Sequence, residues 1–303
     1  MTALMLDGVS KSFGATAAVS NLNLSVQRGC ICGLLGPNGA GKTTTIRMIM
    51  DIIVPDHGRI DVLGCASPAA AKDRLGYLPE ERGLYRKMKV LQTLKYFAAI
   101  KGVPDRQLDG RARQWLELMG ASSWANRRIE ELSKGMQQKI QFAVACINEP
   151  ELLILDEPLA ALDPINLDSL KSIILSFRSR GTAILLSTHM MHEAEELCDH
   201  IVLVNKGRSV LQGTLSEVRG RRQADTVVAE LEGDSAFLDA LPFVAAVRRD
   251  GQAVEMSLRD GADSQQLLAA MVPRVRVISF RLKMPTLHEI FVRTVGGSDA
   301  QGS

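Results

Sequence analysis

Eight consecutive residues limit this chain more than any other feature: Gly36, Pro37, Asn38, Gly39, Ala40, Gly41, Lys42 and Thr43. They satisfy the pattern G-x-x-x-x-G-K-[ST] at every fixed position. A short apolar run at residues 31–35 precedes them, and Ile46, Ile49 and Met50 follow at helical spacing. Glycines allow the backbone to turn its N–H groups inward around phosphate oxygens, and the start of a helix adds roughly half a positive charge. In such a loop Lys42 reaches the β- and γ-phosphates of a nucleotide, and the Thr43 hydroxyl meets Mg2+. The expected nucleotide-binding set is therefore Gly36, Pro37, Asn38, Gly39, Ala40, Gly41, Lys42, Thr43 and the adjoining Thr44. This motif defines a nucleotide binder and nothing narrower.

Farther along, Leu152, Leu153, Ile154 and Leu155 lead into Asp156 and Glu157. Four apolar residues form a buried strand, and the carboxylates emerge at its carboxyl end, where open α/β sheets bind ligands. Asp156 is suited to the Mg2+ shell, and Glu157 to polarising a water as general base. Between the two motifs, residues 90–119 carry two amphipathic helices, marked by Leu91, Leu94, Phe97 and Ala98 and by Leu108, Ala112, Trp115, Leu116 and Met119. Strand-like runs at 183–186, 201–204 and 209–211 then alternate with helical segments, which points to a largely parallel sheet covered by helices.

The chain has 303 residues, with 36 Lys plus Arg against 34 Asp plus Glu, a net charge of +2. That balance lends no support to a nucleic-acid partner or a polybasic membrane anchor. No apolar stretch approaches the roughly 20 residues of a membrane span, and residues 1–8 lack the pattern of a signal peptide. Five scattered cysteines suit reduced thiols. Cys30 and Cys32 supply only two ligands, too few for a zinc site, and are read as small buried hydrophobes.

Leu132, Ser133, Lys134, Gly135, Met136, Gln137 and Gln138 stand between the two motifs. Ser133 is a natural N-cap, and Met136, Ile140, Ala143, Val144 and Ile147 form an apolar stripe behind it, with Pro150 closing the segment. In that position the stretch resembles the LSGGQ signature of ATP-binding cassette (ABC) proteins, and the likeness extends over residues 3–215. It implies a P-loop ABC cassette, α/β in class, with a RecA-like core, an antiparallel β subdomain and a helical subdomain at about 85–150. It also implies that Leu132, Ser133, Lys134, Gly135, Met136 and Gln137 bind the ATP of a partner subunit, and that Phe13 stacks on adenine. By the same resemblance Ala161, Leu162 and Asp163 form the D-loop, and His189 senses the γ-phosphate, a role preferred over a metal site shared with His192 and Glu193. Lys42, Glu157 and His189 become the catalytic set, with Thr43, Asp156 and Glu80 around Mg2+. Two departures stand out: Lys134 and Met136 replace a glycine and a glutamine of the signature, and Glu80 occupies a position that is normally glutamine.

A polar stretch at Gly220, Arg221, Arg222 and Gln223 divides residues 1–220 from 221–303. The second part is expected to run strand (226–231), short helix (235–241), strand (243–248), a hairpin at Arg249, Asp250, Gly251 and Gln252, strand (253–258), helix (264–271) and strand (275–282). That βαββαβ order is ferredoxin-like, a small α+β domain. A final helix at 286–295 follows, beginning after Pro285. This tail resembles the extension on prokaryotic exporter ATPases of the sodium, drug and antibiotic-resistance type. The resemblance implies an ATPase that works as a homodimer or beside a second ABC subunit, bound to integral membrane permease subunits on the cytoplasmic face of the membrane, without nucleic acid. Two other functions are weighed: a non-transport ABC ATPase, disfavoured by the single cassette and the lack of coiled-coil heptads, and a regulatory nucleotide-binding module, opposed by the intact Lys42, Asp156, Glu157 and His189.

Overall fold

Apolar strands buried on both faces explain the centre of the first unit, where Leu4, Leu22, Cys32, Ile46, Ile154 and Leu185 share one hydrophobic cluster. The computed structural model describes residues 1–65, 68–81, 83–160, 162–220, 226–251, 253–259 and 261–299. Among them, an antiparallel sheet in the order β2-β1-β4 is formed by β1 (Thr2–Phe13), β2 (Thr16–Gln27) and β4 (His57–Val62). A larger sheet contains β3 (Ile31–Leu35), β5 (Leu75–Leu78), β6 (Leu152–Asp156), β7 (Ala183–Thr188), β8 (His200–Asn205) and β9 (Arg208–Thr214). Its order is β5-β6-β7-β3-β8-β9, parallel except for the β8–β9 pair. Every residue of β3, β6 and β7 is buried, as expected of parallel strands covered on both faces.

The parallel register decides where chemistry can occur. Leu35 of β3 pairs with Thr188 of β7, and Asp156 of β6 pairs with Ser187 of β7. The carboxyl ends of β3, β6 and β7 therefore finish level, and whatever follows each strand meets at one edge. After β3 comes the glycine-rich loop and α1 (Lys42–Ile49). After β6 comes Glu157 and, farther on, α5 (Pro164–Ser179); after β7 comes His189 and α6 (Met191–Leu197).

The helical region contains α2 (Val90–Ile100), α3 (Leu108–Leu118) and α4 (Lys134–Cys146). The expected stripe on α2 is partly shifted: Val90, Thr93, Leu94 and Ala98 are buried, whereas Leu91 is half-buried. On α3 Trp115 stacks on Phe177 of α5, with ring centroids 6.1 Å apart. Helix α4 is not amphipathic along its length, because every residue from Gln138 to Cys146 is buried. Ser133 caps it, its hydroxyl accepting the Met136 N–H at 3.3 Å, and satisfies one otherwise orphaned donor.

The chain divides into two compact units, Met1–Leu215 and Ser216–Ser303, with the short helix α7 (Leu215–Gly220) at the division. The polar stretch at 221–223 lies outside the described residues, as does Gln252 of the expected hairpin. In the second unit β10 (Thr226–Glu232), β11 (Val244–Asp250), β12 (Ala253–Leu258) and β13 (Arg276–Leu282) form an antiparallel sheet in the order β11-β12-β10-β13. Helices α8 (Ser264–Met271) and α9 (Leu287–Asp299) complete it. The expected first helix is instead a 3-10 helix of five residues, Ala236–Ala240; a segment this short tightens to i→i+3 bonding. Val227, Ala229 and Leu231 alternate inward and pack with Leu238, Met256, Leu267 and Met271. None of the described helices is long and apolar enough to cross a membrane.

Phe142 is among the largest fully buried side chains. Phe142→Ala should lower unfolding free energy by about 3–5 kcal/mol, measured by urea denaturation; a loss below about 1 kcal/mol would mean that the α4 core repacks freely.

Candidate functional site

The loop 38–44, with Ala18, Glu80 and Glu157, lines a cavity of about 290 Å3. Two glycines make the loop possible. A Cβ at Gly36 would stand 2.2 Å from the Val204 carbonyl oxygen, and one at Gly41 2.4 Å from that of Ala18. Gly41 also has φ of 106° and caps α1 with no side-chain hydrogen bond. The first N–H groups of α1 are thereby left to an anion at the helix start. Lys42 is only 6% exposed. Its ammonium donates to the carbonyls of Gly36 at 2.7 Å and Pro37 at 3.2 Å, and lies 3.6 Å from a Glu157 carboxylate oxygen.

Asp156, 1% exposed, occupies the last position of β6. Burial raises its carboxyl above the usual range, and the nearby negative charges of Glu80 and Glu157 push in the same direction. The Ser187 hydroxyl donates to Oδ1, and both it and the Thr43 hydroxyl oppose the rise. Oδ2 is buried without a hydrogen-bond partner. An oxygen left in that state costs free energy unless a cation or donor meets it. Oxygen ligands suit Mg2+, which usually keeps waters and substrate phosphates in its shell. Among the described residues no three His, Cys, Asp or Glu side chains stand close enough to hold a metal by themselves. The residues present thus fit a Mg2+ held by Asp156, Thr43 and phosphate oxygens rather than by a protein cage.

Glu157 has φ of 49°, a left-handed conformation that costs a non-glycine residue roughly 1–2 kcal/mol. Ser187 supports it: the Glu157 N–H donates to the Ser187 carbonyl at 3.1 Å. The Nδ1 of His189 is 3.0 Å from each Glu157 carboxylate oxygen. One carboxylate is therefore held between an ammonium and an imidazole at the mouth of the cavity. Ser187 went unassigned in the sequence, where only its place in the strand end before His189 marked it. Its register opposite Asp156 lets it hold the Asp156 carboxylate and the Glu157 backbone together.

The remaining expected residues lie elsewhere. Phe13 is half-exposed at the end of β1 and does not line the cavity; the Lys11 ammonium sits 5.8 Å from its ring centroid. Glu80 is exposed and lines the cavity. Leu132 is buried, Ser133 and Lys134 are exposed, and Gly135, Met136 and Gln137 are half-buried. The Gln137 amide donates to the carbonyls of Ile129 at 3.1 Å and Leu132 at 3.0 Å, tying down the start of α4. No residue of 132–137 lines the cavity. Ala161 lies outside the described residues. Leu162 is half-buried, and the Asp163 carboxylate caps α5 by accepting the Asn166 N–H at 3.1 Å, which holds its pKa below the ordinary value.

A glycine-rich turn between a parallel strand and a helix, with a buried lysine and two carboxylates at the end of the strand next but one, defines a P-loop nucleotide-binding site. Comparison with known proteins narrows the class. Residues 19–160 match the ABC transporter family, and residues 213–295 match the C-terminal domain of ATP-binding proteins like DrrA1-3. The chain is 39% identical over 293 residues to the ABC transporter ATP-binding protein YhaQ of Bacillus subtilis, covering 97% of this chain and 98% of that one. It is 33% identical to the Nod factor export ATP-binding protein I of Rhizobium etli, covering 98% and 94%. A solved ATP-binding subunit of an ABC transporter superposes with a TM-score of 0.68 at 31% identity, over 72% of this chain and 92% of that one. The chain belongs to the ABC transporter ATP-binding proteins and is an ATPase subunit of that family.

Removing the Ser187 hydroxyl strands a buried carboxylate oxygen. Ser187→Ala should cost about 2 kcal/mol of stability in thermal or urea unfolding, and Ser187→Thr should recover most of it; equal losses in both variants would discount the hydrogen bond to Asp156.

Proposed function

We propose that this subunit hydrolyses ATP as one of two cassettes closed around the nucleotide, and that opening and closing of the pair drives an export permease. The observation that carries this reading is the separation within one chain. Lys42, Asp156 and Glu157 gather at one cavity, while the signature stretch 132–137 presents Ser133 and Lys134 to solvent away from it. Ile165, beside Asp163 at the start of α5, is 83% exposed, which suits a surface covered by a second copy or a second ABC subunit. In this reading Ser133, Lys134 and the Gly135 backbone of one subunit complete the phosphate site of the other, and Leu162 and Asp163 cross between them.

Within each site the loop N–H groups and Lys42 bind the phosphates, and Phe13 meets the adenine. Thr43, Asp156 and Glu80 would hold Mg2+. When bound, the ion neutralises charge on the phosphate oxygens. Glu157 takes a proton from the attacking water, and His189, already 3.0 Å from Glu157, is placed to orient that carboxylate and sense the γ-phosphate. An apolar cavity of about 300 Å3, walled by Met50, Leu75, Tyr77, Pro79, Leu84 and Phe97 and located beside the Glu80 loop, would accept a cytosolic helix of the permease. In this reading the subunit works on the cytoplasmic face of the membrane. Export is favoured over import by the Nod factor export relative and by the DrrA-like extension. The second unit, Ser216–Ser303, acts as an accessory domain to the cassette.

Glu157→Gln should lower ATP turnover by at least about 100-fold and trap an ATP-bound dimer in size-exclusion chromatography; normal turnover would remove Glu157 from the base role. Lys42→Ala should instead weaken nucleotide binding by about tenfold or more, read by titration calorimetry. Specific activity of the wild-type chain should fall on dilution, and a rate per chain independent of concentration would contradict the two-cassette site.

A further inference from the structure

Two surface segments, residues 86–91 and 125–130, lie antiparallel in the helical region. The Glu130 N–H donates to the Arg86 carbonyl and the Ile129 N–H to that of Met88, each at 3.0 Å; the Val90 N–H donates to Arg127 at 2.9 Å and the Leu91 N–H to Ala125 at 3.0 Å. At the centre Lys89 and Arg128 form a β-bridge. This pairing brings Arg86, Lys87, Lys89, Arg127 and Arg128 together, all exposed. Like charges directly opposite each other in an antiparallel pair are destabilising, and little here relieves them. Arg128 lies 3.7 Å from Glu130. The Glu131 carboxylate accepts the Arg128 backbone N–H, and the Arg127 guanidinium donates to a backbone carbonyl, that of Glu131. Among the described residues, Arg86, Lys87 and Lys89 form no ion pair. The net charge of +2 for the whole chain conceals this local excess.

Aromatic side chains edge the same stretch. Tyr85 and Tyr96 are both half-exposed, with ring centroids 5.5 Å apart, and Tyr85 stacks on Phe97 at 6.1 Å. Tyrosines combined with lysines and arginines are the composition of a bilayer interface, where an amphipathic ring sits at headgroup depth and cations meet phosphate. Within 85–89 and 125–128 every exposed side chain is Tyr, Arg, Lys or Asn. The stretch offers no exposed aliphatic core of the kind around which protein interfaces form. Dense, laterally mobile phosphates need no fixed register, and guanidinium groups bind them two bonds at a time.

We propose that this tyrosine-edged basic stretch docks the subunit on anionic lipid headgroups. Phe97 lines the apolar cavity assigned above to the permease helix, so the nearness of the stretch to the bilayer rests on that reading, whereas lipid binding itself can be measured without a permease. The test is flotation of the purified full chain with phosphatidylcholine vesicles, with and without phosphatidylglycerol. Wild type should partition to the anionic vesicles only and be released by salt. Each basic side chain contributes about fivefold to such partition, so Arg86→Gln, Lys87→Gln and Lys89→Gln combined should weaken it about 100-fold. Arg59→Gln, Arg106→Gln and Arg208→Gln combined remove the same charge elsewhere and should leave the greater part of the binding intact. ATP binding and melting temperature should not fall in the first variant. The proposal is overturned if anionic and neutral vesicles bind alike, if the two triple variants behave alike, or if the stretch retains an acidic peptide or single-stranded DNA but no vesicle. A loss of the dilution effect on ATP turnover would count against the two-cassette reading and leave lipid binding untouched.

Discussion

Backbone pairing among β3, β6 and β7 governs the arrangement of everything at the nucleotide site. With Leu35 opposite Thr188 and Asp156 opposite Ser187, three strand ends terminate at one level, and three different loops are delivered to one cavity. A one-residue slip would reverse every side chain of a strand between the two faces of the sheet, turning Asp156 away from Thr43. Apolar burial on both faces fixes the register, so the precision of the site derives from the hydrophobic centre beneath it. This is also why the charged groups tolerate burial. Lys42 lies 3.6 Å from Glu157 and is matched by carbonyls, whereas Ser187 meets only one Asp156 carboxylate oxygen and the other is left for a cation or donor.

The chemistry of the site was more legible in the sequence than its supports. Residues 36–43 and 152–157 could be read because phosphate binding and a strand-end carboxylate impose side-chain types at fixed covalent spacing. The succession of strands in the second unit could be read from alternating apolar residues, while their order in the sheet, β11-β12-β10-β13, is a result of the fold. By contrast, β4 went unread, since His57, Gly58, Arg59 and Asp61 give no apolar alternation; β1 supplies its pairing from far away in the chain. β5 has only four residues, too short for periodicity to register. Ser187 belongs to an apolar run, and its contact with Asp156 exists only through a neighbouring strand. The stripe expected on α4 gave way to burial on all sides because helices and strands surround it, which periodicity within one segment does not encode.

Charge shows the same limit. Average composition placed the chain near neutrality, yet folding brings the basic residues of 86–89 beside those of 127–128 and concentrates a larger excess than either segment carries alone. Long-range backbone bonds join the two basic segments. The signature stretch behaves differently: Ser133 as a helix cap was readable locally, while its distance from the Lys42 cavity follows from how the helical region is joined to the sheet.

The attachments of Lys42 bear on the life of the product. Its ammonium already has two carbonyls within 3.2 Å and a carboxylate at 3.6 Å, so a phosphate gains only the difference between its own attraction and those contacts. Net affinity is lower than the number of donors around the loop suggests. In the proposed cycle the carbonyls and Glu157 would reclaim the ammonium once ADP remains, so the side chain that captures fresh ligand would also assist departure of the spent one.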